Sequence, residues 1–200
     1  MSKNPLTITL ERLKSMKQPG PIPISLTLLS LLLLTVPTMT QTRSVDLTEM
    51  VGAAGMIFVG QVTEVRAGLD EHGEIATWTT FRIEQPLRGV LPGSTTIKQY
   101  GGAAAEGTMM VAHMRYFTEG ERALVMLYPP SELGFTSPIG MSQGAWRVDE
   151  SGNMLGFSPD LLKGLETVAI GYDAVPTAEG TVPLDGVIRL IGMIARSGQQ

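Results

Sequence analysis

The chain has no cysteine. That excludes a disulfide framework, a thiolate nucleophile and any cysteine metal site, so the fold rests on a buried core alone. Histidine is scarce as well. Only His72 and His113 offer an imidazole, and neither follows the one Gly-x-Ser-x-Gly sequence at Gly140–Gly144. No run of lysine or arginine exists, and the formal net charge is −4. Without Lys3, Arg12, Lys14, Lys17 and Glu11 of the first forty residues the remainder carries −7. An acidic chain with no basic stripe repels phosphate backbones, which argues against a nucleic-acid partner. Nor does any Gly-Lys-Ser/Thr follow Gly101-Gly102, as a phosphate-binding loop requires. No cofactor motif is legible.

What the chain does have is glycine and proline, 23 and 13 in 200 residues. These counts favour many short elements joined by turns over a helical bundle, and the length fits about one domain behind a leader. Residues 1–40 read as that leader: a basic head, an apolar centre at Ile22–Val36, then polar residues. The order is that of a secretory signal, and the apolar centre is shorter than the ~20 residues of a spanning helix. The expectation is an exported protein, periplasmic or extracellular. Membrane contact is expected only through residues 18–40 if the signal stays uncleaved as an anchor.

Ser44 is placed to cap a short helix ending near Ala54. The strand Met56–Arg66 then puts Phe58, Gly60 and Val62 on one face and Ile57, Val59, Gln61 and Thr63 on the other. Gly60 in its interior predicts a bulge or a close backbone approach. Thr77–Leu87 alternates with period two and pairs with it as a hairpin across the acidic turn Asp70–Glu74. Thr95–Tyr100 reads as a third strand and Arg122–Tyr128 as one buried on both faces. Short strands are expected at Ala145–Val148 and Asn153–Phe157. Residues 158–183 read as loop with one helical turn at Leu161-Leu162. Leu184, Val187, Leu190, Ile191 and Ile194 then predict a C-terminal amphipathic helix packed on a β-barrel. The expected division is 1–40 leader, 44–157 β domain, and 158–200 extension carrying the helix.

Val59-Gly60-Gln61-Val62, a threonine-rich strand ending Leu87-Arg88-Gly89, Gly101-Gly102, Phe117–Arg122 with its Gly-Glu-Arg, and Ser142-Gln143-Gly144 together resemble a family of uncharacterised exported bacterial proteins. That family is similar to the netrin and metalloproteinase-inhibitor module. The resemblance covers about residues 44–150 and implies a mainly β fold, a small antiparallel barrel of the OB type. The inhibitors of that module chelate the protease metal through an N-terminal cysteine. This chain has none, so that mechanism does not carry over.

The functional expectation is a non-catalytic binding module whose partner is a protein or small ligand. Its contact residues are sought on the long aperiodic stretch, at Tyr100, Gly101, Gly102, Met109, Met110, His113 and Phe117, because OB-type barrels recognise ligands through loops at the barrel mouth and soft methionines adapt to a partner. The acidic turn supplies weak candidates for a hard cation, Asp70, His72 and Glu74. Two alternatives stand beside this reading: a serine hydrolase using Ser142, and a membrane-anchored structural protein.

Overall fold

The computed structural model describes residues 44–198, and these are mainly β. The leader, and with it the expected signal or anchor, lies outside the described residues. Among them no helix is long and apolar enough to cross a membrane.

Helix α1 (Leu47–Ala53) is capped by Asp46, whose carboxylate accepts the Glu49 N–H at 2.8 Å; the cap is therefore Asp46 and not Ser44. It buries Leu47, Met50 and Val51. Two long strands follow, β1 (Met56–Leu69) and β2 (Ile75–Arg88), then β3 (Gly93–Tyr100). The stretch after Tyr100 is not featureless loop. It folds a small hairpin, β4 (Gly102–Ala104) with β5 (Gly107–Met109), which periodicity misses because each strand is only three residues long. Strand β6 (Arg122–Leu127) is buried from Ala123 onward and β7 is Ala145–Arg147. Strands β8 (Asn153–Met154) and β9 (Val182–Pro183) pair with each other. Between them lie a 3-10 turn at Pro159–Leu162 and the short helix α2 (Glu166–Gly171), the latter without a sequence signal. Helix α3 (Leu184–Ser197) buries all five residues of the predicted stripe.

One antiparallel sheet organises these pieces in the order β3-β2-β1-β6-β7. Both faces of β1 are used, as the alternation requires. Ile57 and Val59 join Leu124, Met126, Trp146, α1 and α3 in one core, whereas Phe58 and Val62 join Phe81, Ile97, Phe117 and Val125 in the other. Phe81 stacks edge-on against both Phe58 and Phe117, with centroids 5.2 and 5.0 Å apart. The β1–β2 register slips at Gly60, where a Cβ would stand 2.9 Å from the Arg82 carbonyl oxygen. The glycine thus allows a bulge and a close backbone crossing together.

The predicted barrel is met at the level of this sheet. Its five strands form an open array with β3 and β7 at the edges, and isolated bridges add to it at β3 and at the end of β6. Lys98 bridges Phe135 in parallel and Leu127 bridges Pro138 antiparallel.

The motifs behind the resemblance acquire structural reasons. Arg88 donates to the Val51 and Ala54 carbonyls, covering the end of α1 where backbone acceptors lack helical partners. Gly89 (φ +67°) lies against the Gly55 carbonyl, where a side chain has no room. In Gly120-Glu121-Arg122, Gly120 N–H donates to the Val62 carbonyl and Val62 N–H to that of Glu121. Glu121 is buried and paired with Arg115, and Arg122 Nε lies 2.7 Å from Glu84.

Candidate functional site

The two segments singled out in the sequence, the acidic turn and the stretch after β3, converge at one end of the sheet, and the last residues of β3 join them. Lys98 Nζ lies 2.9 Å from the Asp70 carboxylate and 3.4 Å from Glu71. It also donates to the Leu133 carbonyl at 3.1 Å and stands 4.3 Å from the Phe135 ring centroid. The Tyr100 hydroxyl donates to Glu74 at 2.6 Å while its ring meets Phe135 edge-on. Three chain segments, 70–74, 98–100 and 133–135, are thereby tied together.

Asp70 is consumed by this arrangement. Its Oδ1 accepts the His72 and Glu74 N–H groups at 2.9 and 2.8 Å and closes the turn. Burial alone would push its pKa up. The Lys98 ammonium and the two backbone donors outweigh that and hold it at about 2. The same contacts act on their partners. The hydrogen bond to Asp70 raises Lys98, against the pull of burial, and the hydrogen bond to Glu74 raises Tyr100. Glu71 is lowered by its own backbone N–H and then by Lys98. The weak cation candidates Asp70, His72 and Glu74 therefore face different partners, and among the described residues no group of three metal-ligating side chains comes together. His72 instead sits 3.7 Å from Glu71 on the exposed tip.

The expected contact residues separate into two kinds. Gly101, Gly102 and Phe117 are buried. Gly101 and Gly102 have positive φ, and a Cβ on Gly102 would lie 2.1 Å from Thr77 Oγ1. Glycine is what lets the chain fold inward and lay β4 against β1 and β2. Phe117 fills the inner core. Tyr100 is 37% exposed and Met110 59%. Met109 is half-buried and His113 is exposed, with φ +61°. The loop bearing Met110 and His113 is held in one shape. The Tyr116 hydroxyl donates to the Tyr100 carbonyl at 2.7 Å and lies 3.4 Å from the Val111 N–H, which donates to it. Gln99 donates to the Arg115 carbonyl at 2.8 Å, and Arg115 N–H to that of Met141 at 3.3 Å.

Sequence reasoning missed Lys98, Tyr116 and Phe135. For Lys98 a signal existed: it is the lone cation of β3, on the strand beside a hairpin whose turn holds three carboxylates. Tyr116 and Phe135 act through contacts that no local pattern announces.

Ser142 stands elsewhere. Ile139 and Gly144 pair with each other, the Ile139 N–H and the Gly144 carbonyl both bond to Met126, and the residues between them loop out. Gly140 and Met141 adopt positive φ there, and a Cβ on Gly144 would lie 2.7 Å from Ile139 N and 2.8 Å from the Met126 oxygen. The two glycines of Gly-Met-Ser-Gln-Gly are thus explained by a looped-out turn beside β6. Ser142 is exposed, and among the described residues no hydrogen bond joins it to His72 or His113. Strand β7 comes next after the serine, in place of the helix that the strand-to-helix nucleophile turn requires. Set against known proteins, the chain matches no family model, no curated protein and no solved structure.

Proposed function

We propose that the protein is a non-catalytic interaction module, exported to the cell envelope and built on a netrin-like barrel of the OB type. The barrel reading is supported by the β1–β2–β3 meander, by β6 beside β1, and by Phe135–Pro138, which touches β3 in parallel and β6 antiparallel. Export rests on the leader grammar of residues 1–40, and N-terminal sequencing of the mature chain distinguishes a cleaved signal from an anchor.

One observation carries the binding reading. The loop bearing Met110 and His113 is exposed at its tip yet fixed at its base by Tyr116 and Gln99. A side chain displayed on a preorganised loop loses little freedom on association, which is the economy of recognition loops on rigid scaffolds. Methionine at the tip adds a soft, adaptable apolar contact.

The test is a photoreactive amino acid placed at Met110 and, separately, at Ile170, which is exposed on α2 beside the helical core. Irradiation of intact cells is expected to give a discrete protein adduct from the Met110 position and none from Ile170. Equal adducts from both positions, or none from Met110, would remove the basis of the reading.

A further inference from the structure

The outer edge of β3 is filled for half its length. Lys98 and Tyr100 turn their carbonyls away from β2: that of Lys98 accepts the Thr136 N–H at 2.8 Å, and that of Tyr100 accepts the Tyr116 hydroxyl at 2.7 Å. Backbone groups along a strand alternate sides with period two. Ser94 and Thr96 therefore direct their N–H and C=O groups outward as well. Both residues are exposed, and among the described residues nothing pairs with these outward groups. The free half, Gly93–Ile97, also lacks charge and proline, the usual devices by which an edge refuses another strand.

Beside this edge runs a cleft of about 520 Å³, lined by Met56, Thr96, Ile97, Pro130, Leu133 and the Glu71–Lys98 pair. That is the size range of ligand clefts, roughly 300–1,000 Å³. The chain's own Phe135–Thr136 already occupies the next rung of the same edge through its main chain.

We propose that the free half of β3 is a strand-addition site, taking an extended, uncharged peptide segment of another protein. Main-chain hydrogen bonds to Ser94 and Thr96 would hold it in line behind Phe135. Pro130 and Leu133 line the cleft beside β3, and the Phe135 segment already on that edge is one extended strand, the pattern that a single added peptide continues. Lys98 is already matched by Asp70 at 2.9 Å and by Glu71 at 3.4 Å, so it does not call for an acidic residue in the peptide. The peptide residue facing Ile97 and Met56 is apolar, and its neighbours, beside Thr96 and Lys98, are small and polar. The site does not depend on the Met110 loop.

The experiment titrates the full chain with the blocked peptide acetyl-Thr-Thr-Val-Thr-Thr-amide, following backbone amide resonances. The expected result is shifts centred on Ser94 and Thr96, with slowed amide exchange there. Thr96→Pro removes one outward donor and leaves the backbone ladder to β2 intact, since Thr96 directs no backbone group to β2; its hydroxyl contact with Thr80 at 2.9 Å is lost as well. Loss of one hydrogen bond is expected to weaken binding by about tenfold. An analogue N-methylated at valine removes a donor on the peptide side, the N–H that a residue facing Ile97 offers to the Thr96 carbonyl in a strand parallel to β3 as Phe135 is, and so tests the main-chain pairing whether or not the proline variant folds. Equal binding of the methylated peptide, shifts centred elsewhere, no shifts up to the peptide's solubility limit, or self-association of the chain through β3 would each overturn the proposal.

Discussion

At neutral pH a carboxylate as secluded as that of Asp70, whose side chain is 0% exposed, survives ionised only because Lys98 and two backbone amides face it. The consequence is a pH dependence whose sign is fixed. In the unfolded chain Asp70 titrates near its ordinary 3.8, and in the fold at about 2. Its contribution to stability is therefore complete above the unfolded value and is lost as the pH falls from about 4 towards 2. Asp70→Asn is expected to lower the urea midpoint at pH 7 and to flatten its decline between pH 4 and pH 2 relative to the wild type. Parallel curves for the two proteins would show that the Lys98 pair contributes nothing in that window. The acidic turn itself was legible in the sequence, as was its place at a hairpin tip. Its purpose was not, because Lys98 comes twenty-four residues after Glu74 and only the β2–β3 register brings it back.

At the scale of elements, the Gly-x-Ser-x-Gly stretch separates what a motif spells from what it does. Its glycines serve the backbone: Gly144 is pressed between Ile139 and Met126, while Ser142 lies on the outside of the turn. Gly144→Ala is expected to cost about 1–3 kcal/mol through forced displacement of backbone. Ser142→Ala should stay within about 0.5 kcal/mol, as surface changes do. Chemical denaturation of the two variants checks the contrast, and a fluorophosphonate probe on the same proteins checks the hydrolase alternative. The strands β1, β2, β3 and β6 and the helix α3 were legible because period and turn residues agree over many positions. The β4–β5 hairpin and α2 were not. Each is too short for its own pattern to stand out, and tertiary contacts hold them, such as Gly101 N–H on the Ile75 carbonyl and Ala169 in the helical core.

Taken whole, the described chain packs the expected extension into the same core as the β domain. A single core mixes Leu47 and Met50 of α1, Ile57 of β1 and Trp146 of β7 with Leu161, Val182, Leu190 and Ile191 of the expected extension. Residues 158–198 therefore complete the fold. Leu190 is fully buried in that core. Leu190→Ala is expected to cost about 2–5 kcal/mol and to shift one unfolding transition seen alike by circular dichroism and by the fluorescence of Trp78 and Trp146. Two transitions, with only the helical signal moved, would show that residues 158–198 unfold apart from the sheet.

The sequence by itself determined the strand-rich character, the bulge at Gly60, the acidic hairpin tip and the buried stripe of α3. Those features depend on side-chain period and local backbone freedom, and both are written in neighbouring residues. Only the tertiary structure decided which polar groups are engaged and which remain free. Lys98, Tyr100 and Tyr116 draw the loops to one end, Phe135 and Thr136 cover half of the β3 edge, and Ser94 and Thr96 are left open beside the cleft. Such pairings join residues far apart in the chain, and no local pattern encodes them.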